Sequence, residues 1–181
     1  MVGLGGIFRA LARSPSRPPG RGDGPLSNWA ASPFRLDGRD FHCLEQYLMW
    51  RKAVLFRDAA AAGEILACRT APEAKARGRE IAGFDEIAWY CRGKSLLYRG
   101  ARLGKFAQHA PSREALLETA GTILVEASNS DPVWGVGLAE YDRRCWDLAE
   151  WRGTNWLGEV LTTVRESIFA EMARANERKG G

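Results

Sequence analysis

The sequence predicts an α+β fold: a mostly helical single domain with a few short β-strands. Three observations predict it. Apolar residues recur at helical spacing through much of residues 42–170, one short segment rich in branched residues reads as a buried strand, and an Asp-Gly pair between apolar positions reads as a hairpin. The 181-residue length suits one core, and 45% hydrophobic with 27% charged residues is a globular composition.

The opening 24 residues, MVGLGGIFRALARSPSRPPGRGDG, are rich in Gly, Pro, Ser and Arg and read as a flexible basic tail ahead of a domain spanning 25–170. Within PLSNWAASPFRLDGRDF, Asp37-Gly38 tolerates positive φ and predicts a hairpin. From His42 to Phe56 there is no Gly or Pro, and Leu44, Tyr47, Leu48, Arg51, Val54 and Leu55 recur at helical spacing, giving the first long helix. Two short helices follow, Asp58 to Ala67 and Pro72 to Glu80, the second with Pro early in its first turn. Asp85 starts a helical segment towards Phe106, which Gly93 and Gly100 weaken by about 1 kcal/mol each relative to Ala. Arg113 to Ala120 is helix-like and stops at Gly121, Thr122 to Ala127 is a strand, and Asn129 to Gly137 is a loop. Asn155 is placed to cap a last helix with the apolar stripe Leu157, Val160, Leu161, Val164 and Ile168, and residues 171–181 form its end and a tail.

Charge narrows the function. The net +4 resides in the ends: residues 1–24 carry +3 and 171–181 carry +1, while 25–170 balance at 19 basic and 19 acidic side chains. The body therefore lacks the electrostatic footprint of a duplex-DNA binder. No apolar run approaches the ~20 residues of a membrane span, so the expectation is a soluble, cytoplasmic protein with no membrane partner. Cys43, Cys68, Cys91 and Cys145 lack metal-ligand spacing and read as reduced core thiols. His42 and His109 are too isolated for a metal site or a nucleophilic triad, so no metal or cofactor is expected.

Glu45 and Lys52, seven residues apart, share one helix face, with Met49 and Phe56 making that stripe half apolar. Helical side chains lean towards the N-terminus, so the Lys52 stem points back towards Glu45. A lysine desolvated there tends to a lowered pKa, and a neutral amine attacks electrophilic carbon. The same spacing also fits an ordinary solvated helix face. In EASNSDPVWGVG, Glu126, Asp131 and Trp134 sit at and beyond the strand, with Gly135 and Gly137 permitting close backbone approach; this is a plausible base-stacking site and equally an ordinary tight loop. WRGTNWLG brings Arg152, Asn155 and unpaired amides to the last helix's start, a phosphate-suited geometry that a simple capped helix also explains. Trp89 and Asn28 fit a core anchor and a turn residue.

Taken together, LSNWAASPFRLDG, FHCLEQYLMWRKA, LGKFAQ, LLETAGTILVEASNSDPVWGVG and WRGTNWLGEVLTTVR resemble the ordered signature blocks of the NADAR family over nearly all of residues 26–168, and closely resemble its YbiA-like branch. The resemblance implies the NADAR fold and an N-glycosidase cleaving ribosylamino-pyrimidine 5′-phosphates of early riboflavin biosynthesis. The family's helix Glu and Lys match Glu45 and Lys52, its helical Trp matches Trp89, and its loop Asp and Trp match Asp131 and Trp134, which implies catalysis by Glu45, Lys52 and Asp131 with a lysine imine as the covalent route; Asn28, Glu126, Gly135, Arg152 and Asn155, with Trp89 and Trp134, are the expected substrate contacts. The implied partner is a small phosphoribosylated molecule. Two alternatives stay open: removal of ADP-ribose from guanine in nucleic acid, and a non-catalytic ADP-ribose or NAD-binding module. Gln46 stands where relatives often carry His, and Met49-Trp50-Arg51 replaces the usual small and amide residues before the lysine.

Overall fold

The computed structural model describes the backbone of residues 6–10 and, beyond it, residues 24–180. Its elements run β1 (Gly6–Ala10), β2 (Phe34–Leu36), β3 (Arg39–Phe41), α1 (Leu44–Leu55), α2 (Ala59–Ala67), α3 (Ala71–Arg79), α4 (Glu86–Arg99), a π-helical stretch (Gly100–Lys105), α5 (Phe106–Gln108), α6 (Ala110–Leu117), β4 (Ile123–Ala127), two 3-10 turns (Arg143–Trp146 and Leu148–Glu150) and α7 (Trp156–Gly180). The strands pair as two separate antiparallel two-stranded sheets, so the fold is mostly helical with short strands, as expected. The chain falls into two compact units, residues 25–113 and a unit joining β1 to residues 114 onward.

In the 25–113 unit the expected hairpin forms, with Asp37 and Gly38 both at positive φ (51° and 74°) and Phe34 paired to Phe41. These two rings and Tyr47 meet at centroid distances of 5.2 to 5.9 Å. Asp37 accepts from Arg51, Arg99 and Tyr47, which ties the turn to α1 and α4. Six consecutive residues of α1, Leu44 to Met49, are buried because α2, α3 and α4 all pack on it. Gln46 accepts from the His42 amide and donates to the carbonyls of Ile65, Leu66 and Cys68, so this amide closes the C-terminal end of α2. Asp58 caps α2, and Thr70 with Glu73 forms a reciprocal capping box on α3.

Gly100 does more than weaken a helix. The Tyr47 ring and Leu44 stand where its Cβ would lie, and the helix continues through it as π-helix instead of ending there.

In the other unit β4 pairs with β1 in the register Gly6↔Ala127 to Ala10↔Ile123. This revises the expectation of a flexible tail for residues 6–10. Gly-Ile-Phe-Arg-Ala holds two strong strand formers, and an exposed edge of β4 rewards pairing more than composition penalises it. The remainder of the expected tail lies outside the described residues. β4 buries Leu124, Val125 and Ala127, and α7 packs on it with Val160, Leu161, Val164 and Ile168 buried. α7 runs to Gly180, past the expected end of its buried stripe, with residues 171–180 exposed. α6 starts at Ala110, earlier than expected, with Pro111 in its first turn.

Cys43 and Cys145 are buried as expected, whereas Cys68 is half-buried and Cys91 is exposed on α4; all four are free. Among the described residues no helix is long and apolar enough to cross a membrane.

Candidate active site

Glu45 and Lys52 do share a face of α1, but that face meets α3 rather than closing on itself. The Lys52 Nζ donates to the carbonyl of Gly78 at 2.7 Å. The Phe84 ring lies 4.0 Å from the ammonium and the Trp89 ring 5.6 Å. Gly78 makes the approach possible, because Met49 Sδ and Cγ occupy the space a Cβ would need. Glu45, with a side chain only 4% exposed, pairs with Lys75 of α3 at 3.2 Å. The expected lean of the Lys52 stem onto Glu45 is thus replaced by two separate contacts to α3, since an inward backbone carbonyl and a second lysine compete for the two groups.

The Glu45–Lys75 contact has charge but not hydrogen-bond alignment, and Glu45 Oε1 is a buried acceptor without a donor. Asn28 Oδ1 is another. The two residues are joined through the backbone, the Glu45 amide donating to the Asn28 carbonyl at 2.9 Å. Buried acceptors of this kind are costly in a resting protein and are suited to a ligand that brings hydroxyl or N–H donors.

Burial lowers the Lys52 pKa to about 8, assisted by the positive charges of Lys75 and Arg79 and opposed by Glu45. A substantial neutral fraction near physiological pH gives the amine a nucleophile's lone pair.

Lys105, absent from the sequence-derived candidates, is fully buried, and its Nζ donates to the Ser27 carbonyl at 2.6 Å. Burial brings its pKa down to about 7, with Cys43 opposing. It pegs the Ser27-Asn28 segment to the core. Burial also pushes the Cys43 thiol up to about 11, which leaves it an inert core group.

In the β4/α7 unit, Asp131 Oδ1 accepts from the Trp134 amide at 3.0 Å and the Asp131 carbonyl accepts from Gly135, closing a tight turn. The Trp134 ring stacks edge-on to Trp156 at 5.6 Å. Glu126, half-buried, follows Val125 on β4 and its carbonyl accepts from Val136. A Cβ on Gly135 would come within 2.8 Å of that carbonyl, so the close approach expected of this glycine is real.

Asn155 directly precedes α7 and its carbonyl accepts from the Glu159 amide, but its side chain does not cap the helix. At φ 53° its side-chain amide accepts from the Glu126 amide at 2.9 Å and donates to the Leu124 carbonyl at 2.8 Å, imitating a paired strand on the edge of β4. The amides of Asn155, Trp156 and Leu157 donate to the carbonyls of Gly135, Val133 and Trp134. The phosphate-suited helix start expected here is therefore occupied by the protein's own loop. Arg152 is exposed, and its amide donates to Val136.

The chain has relatives. The NADAR domain profile matches residues 17–169. The chain belongs to the NADAR family. Protein irg-1 of Caenorhabditis elegans is 41% identical over 141 residues, covering 77% of this chain and 66% of the worm protein. N-glycosidase R617 of Acanthamoeba polyphaga mimivirus is 35% identical over 146 residues, 78% of this chain and 85% of the viral one. The NMR structure of the Escherichia coli protein YbiA superposes with a TM-score of 0.67 at 30% identity, covering 83% of this chain and 80% of YbiA. YbiA is itself named an N-glycosidase. This NADAR chain is accordingly an N-glycosidase, a hydrolase acting on N-glycosyl compounds.

Proposed function

We propose that this NADAR enzyme hydrolyses the N-glycosidic bond of a ribosylamino-pyrimidine 5′-phosphate of riboflavin biosynthesis, releasing ribose 5-phosphate in the cytoplasm. The observation that carries the reading is the Lys52 amine, partly desolvated between Phe84, Trp89 and Gly78 on the helix face that also bears the buried Glu45 carboxylate.

The chemistry follows from those groups. Neutral Lys52 attacks the ribose anomeric carbon while the bond from that carbon to the base nitrogen breaks, its electron pair and a proton going to the departing base. The Glu45 carboxylate faces the positive charge that develops on the sugar. The two protons of the neutral amine end on the departing base nitrogen and on the ring oxygen, whose bond to the anomeric carbon opens to give a lysine imine; water then adds to the imine carbon and expels the amine. Asn28 offers its unpaired oxygen to a sugar hydroxyl, and Trp89 borders the amine. Asp131 as second carboxylate and Trp134 as stacking surface rest on their match to the family's loop residues, and Glu126, Gly135 and Arg152 as substrate contacts rest on the chemistry of their sequence segments. Asn155 is given a structural role, since both ends of its amide are engaged by β4.

The test is mass spectrometry of products from purified wild-type and Glu45→Ala protein, offered a ribosylamino-pyrimidine 5′-phosphate and a guanine-ADP-ribosylated oligonucleotide. Ribose 5-phosphate from the first substrate, lost in Glu45→Ala, is the expected result. Release of ADP-ribose from the oligonucleotide alone would move the substrate to nucleic acid, and ligand binding without turnover of either would refute catalysis on them.

A further inference from the structure

We propose that Lys75 and Arg79 of α3 form the subsite that binds the substrate's phosphoryl group. This rests on the functional reading above and replaces the helix start of α7, whose amides are already engaged.

The two residues lie one turn apart on α3, with Gly78 between them in the turn that approaches α1. Lys75 reaches Glu45 at 3.2 Å, and Gly78 receives Lys52. The ridge therefore borders the proposed reacting amine. The charges acting on Lys52 are two cations, Lys75 and Arg79, against the single carboxylate of Glu45. Three positive groups against one negative leave a local charge of +2, or +1 when Lys52 is neutral.

Neighbouring carboxylates are turned elsewhere. Glu73 accepts from the Arg69 and Thr70 amides, Glu80 and Glu64 pair with Arg77, and Asp58 accepts from the amides of Ala61 and Ala82. A phosphate monoester near neutral pH carries close to two negative charges and offers oxygens to a guanidinium fork and an ammonium. Arg79 is exposed and Lys75 partly so, so both can reach a ligand without unfolding α3. The shared chemistry is a phosphoryl group on ribose, either the 5-phosphate of a ribosyl monophosphate or the diphosphate of ADP-ribose.

Titration calorimetry of the full chain with ribose, ribose 5-phosphate and ADP-ribose tests this without requiring turnover. Wild-type protein should bind ribose 5-phosphate about 10- to 100-fold more tightly than ribose, and Arg79→Gln should erase most of that difference while Arg79→Lys keeps part of it. Lys75→Gln should act in the same direction. A gain seen with ADP-ribose alone assigns the ridge to a diphosphate. Equal affinity of wild-type protein for the phosphorylated and plain sugars, or an unchanged preference in Arg79→Gln with an unchanged melting temperature, overturns the subsite. Should the phosphoryl preference appear and depend on Arg79 while no N-glycosidic bond is cleaved, the functional reading fails and the subsite stands. Cleavage without phosphoryl preference is the reverse.

Discussion

The Lys52 ammonium donates to the Gly78 carbonyl, and Met49, one turn before Lys52 on α1, fills the space where a side chain on Gly78 would begin. One glycine thus fixes both the spacing of α1 and α3 and the resting position of the amine. Gly78→Ala should force Met49 from its rotamer or push α3 outward, at about 1–3 kcal/mol. The expected result is a lower melting temperature together with a lower kcat/KM. Loss of stability with full activity would show that the amine does not depend on this contact.

Lys52 should act as a neutral nucleophile. With its pKa lowered to about 8, the reactive fraction rises about tenfold per pH unit below that value and levels above it. Borohydride trapping during turnover, read by peptide mass spectrometry, should yield a ribosyl adduct on Lys52 whose amount rises from pH 6 to 8. Lys52→Ala should give no adduct. An active Lys52→Ala protein would leave direct attack by water as the route.

Much of this was legible in the sequence. The Asp37-Gly38 turn, α1, the short helix α2, the Pro72 start of α3 and β4 all follow from local spacing and turn chemistry, because each is decided within a few residues. Glu45 and Lys52 were visible as a shared face for the same reason. The partners of that face were not: Lys75, Gly78, Arg79 and Phe84 are brought there by packing, and nothing in a nine-residue helix with three charged residues near its end announces which side meets α1. Lys105 escaped because a lysine inside LGKFAQ has no pattern distinguishing a buried peg from a surface charge. Asn155 departs from its local pattern. Its position before a helix fits a cap, while its positive φ and its bonds to β4 are long-range facts.

Lys105 and Lys52 should make stability rise with pH. Both have folded pKa values, about 7 and about 8, below the 10.5 of an unstructured lysine. Between about pH 7 and 10.5 the unfolded chain therefore holds more protons than the folded one, and in that window this pair favours folding as pH increases. Below about pH 7 both are protonated in either state and the burial penalty is complete. Urea unfolding at pH 7 and 9 should give a higher midpoint at pH 9, and the difference should shrink in Lys105→Met. A pH-independent difference between wild type and variant would show that Lys105 titrates normally.

Asn155 should prove to be a structural clasp whose loss is felt at β4. Removing its amide leaves the Glu126 N–H and the Leu124 carbonyl without their side-chain partner, and the variant residue must still adopt φ near 53°. Each unsatisfied buried group costs about 1–3 kcal/mol, and left-handed backbone adds about 1–2 kcal/mol for a residue without Asn's local compensation. Asn155→Ala is therefore expected to lose about 3–8 kcal/mol, enough to threaten folding. Asn155→Gly removes the φ penalty, and should recover about 1 kcal/mol or more of that loss while leaving the amide gap. Faster hydrogen exchange should then appear in β4 and at the start of α7. Because the amides of Asn155, Trp156 and Leu157 serve the 131–137 loop, the affinity for ribose 5-phosphate in the folded Gly variant should stay within about twofold of wild type. A tenfold loss there, without wider unfolding, would restore Asn155 to the ligand's binding site.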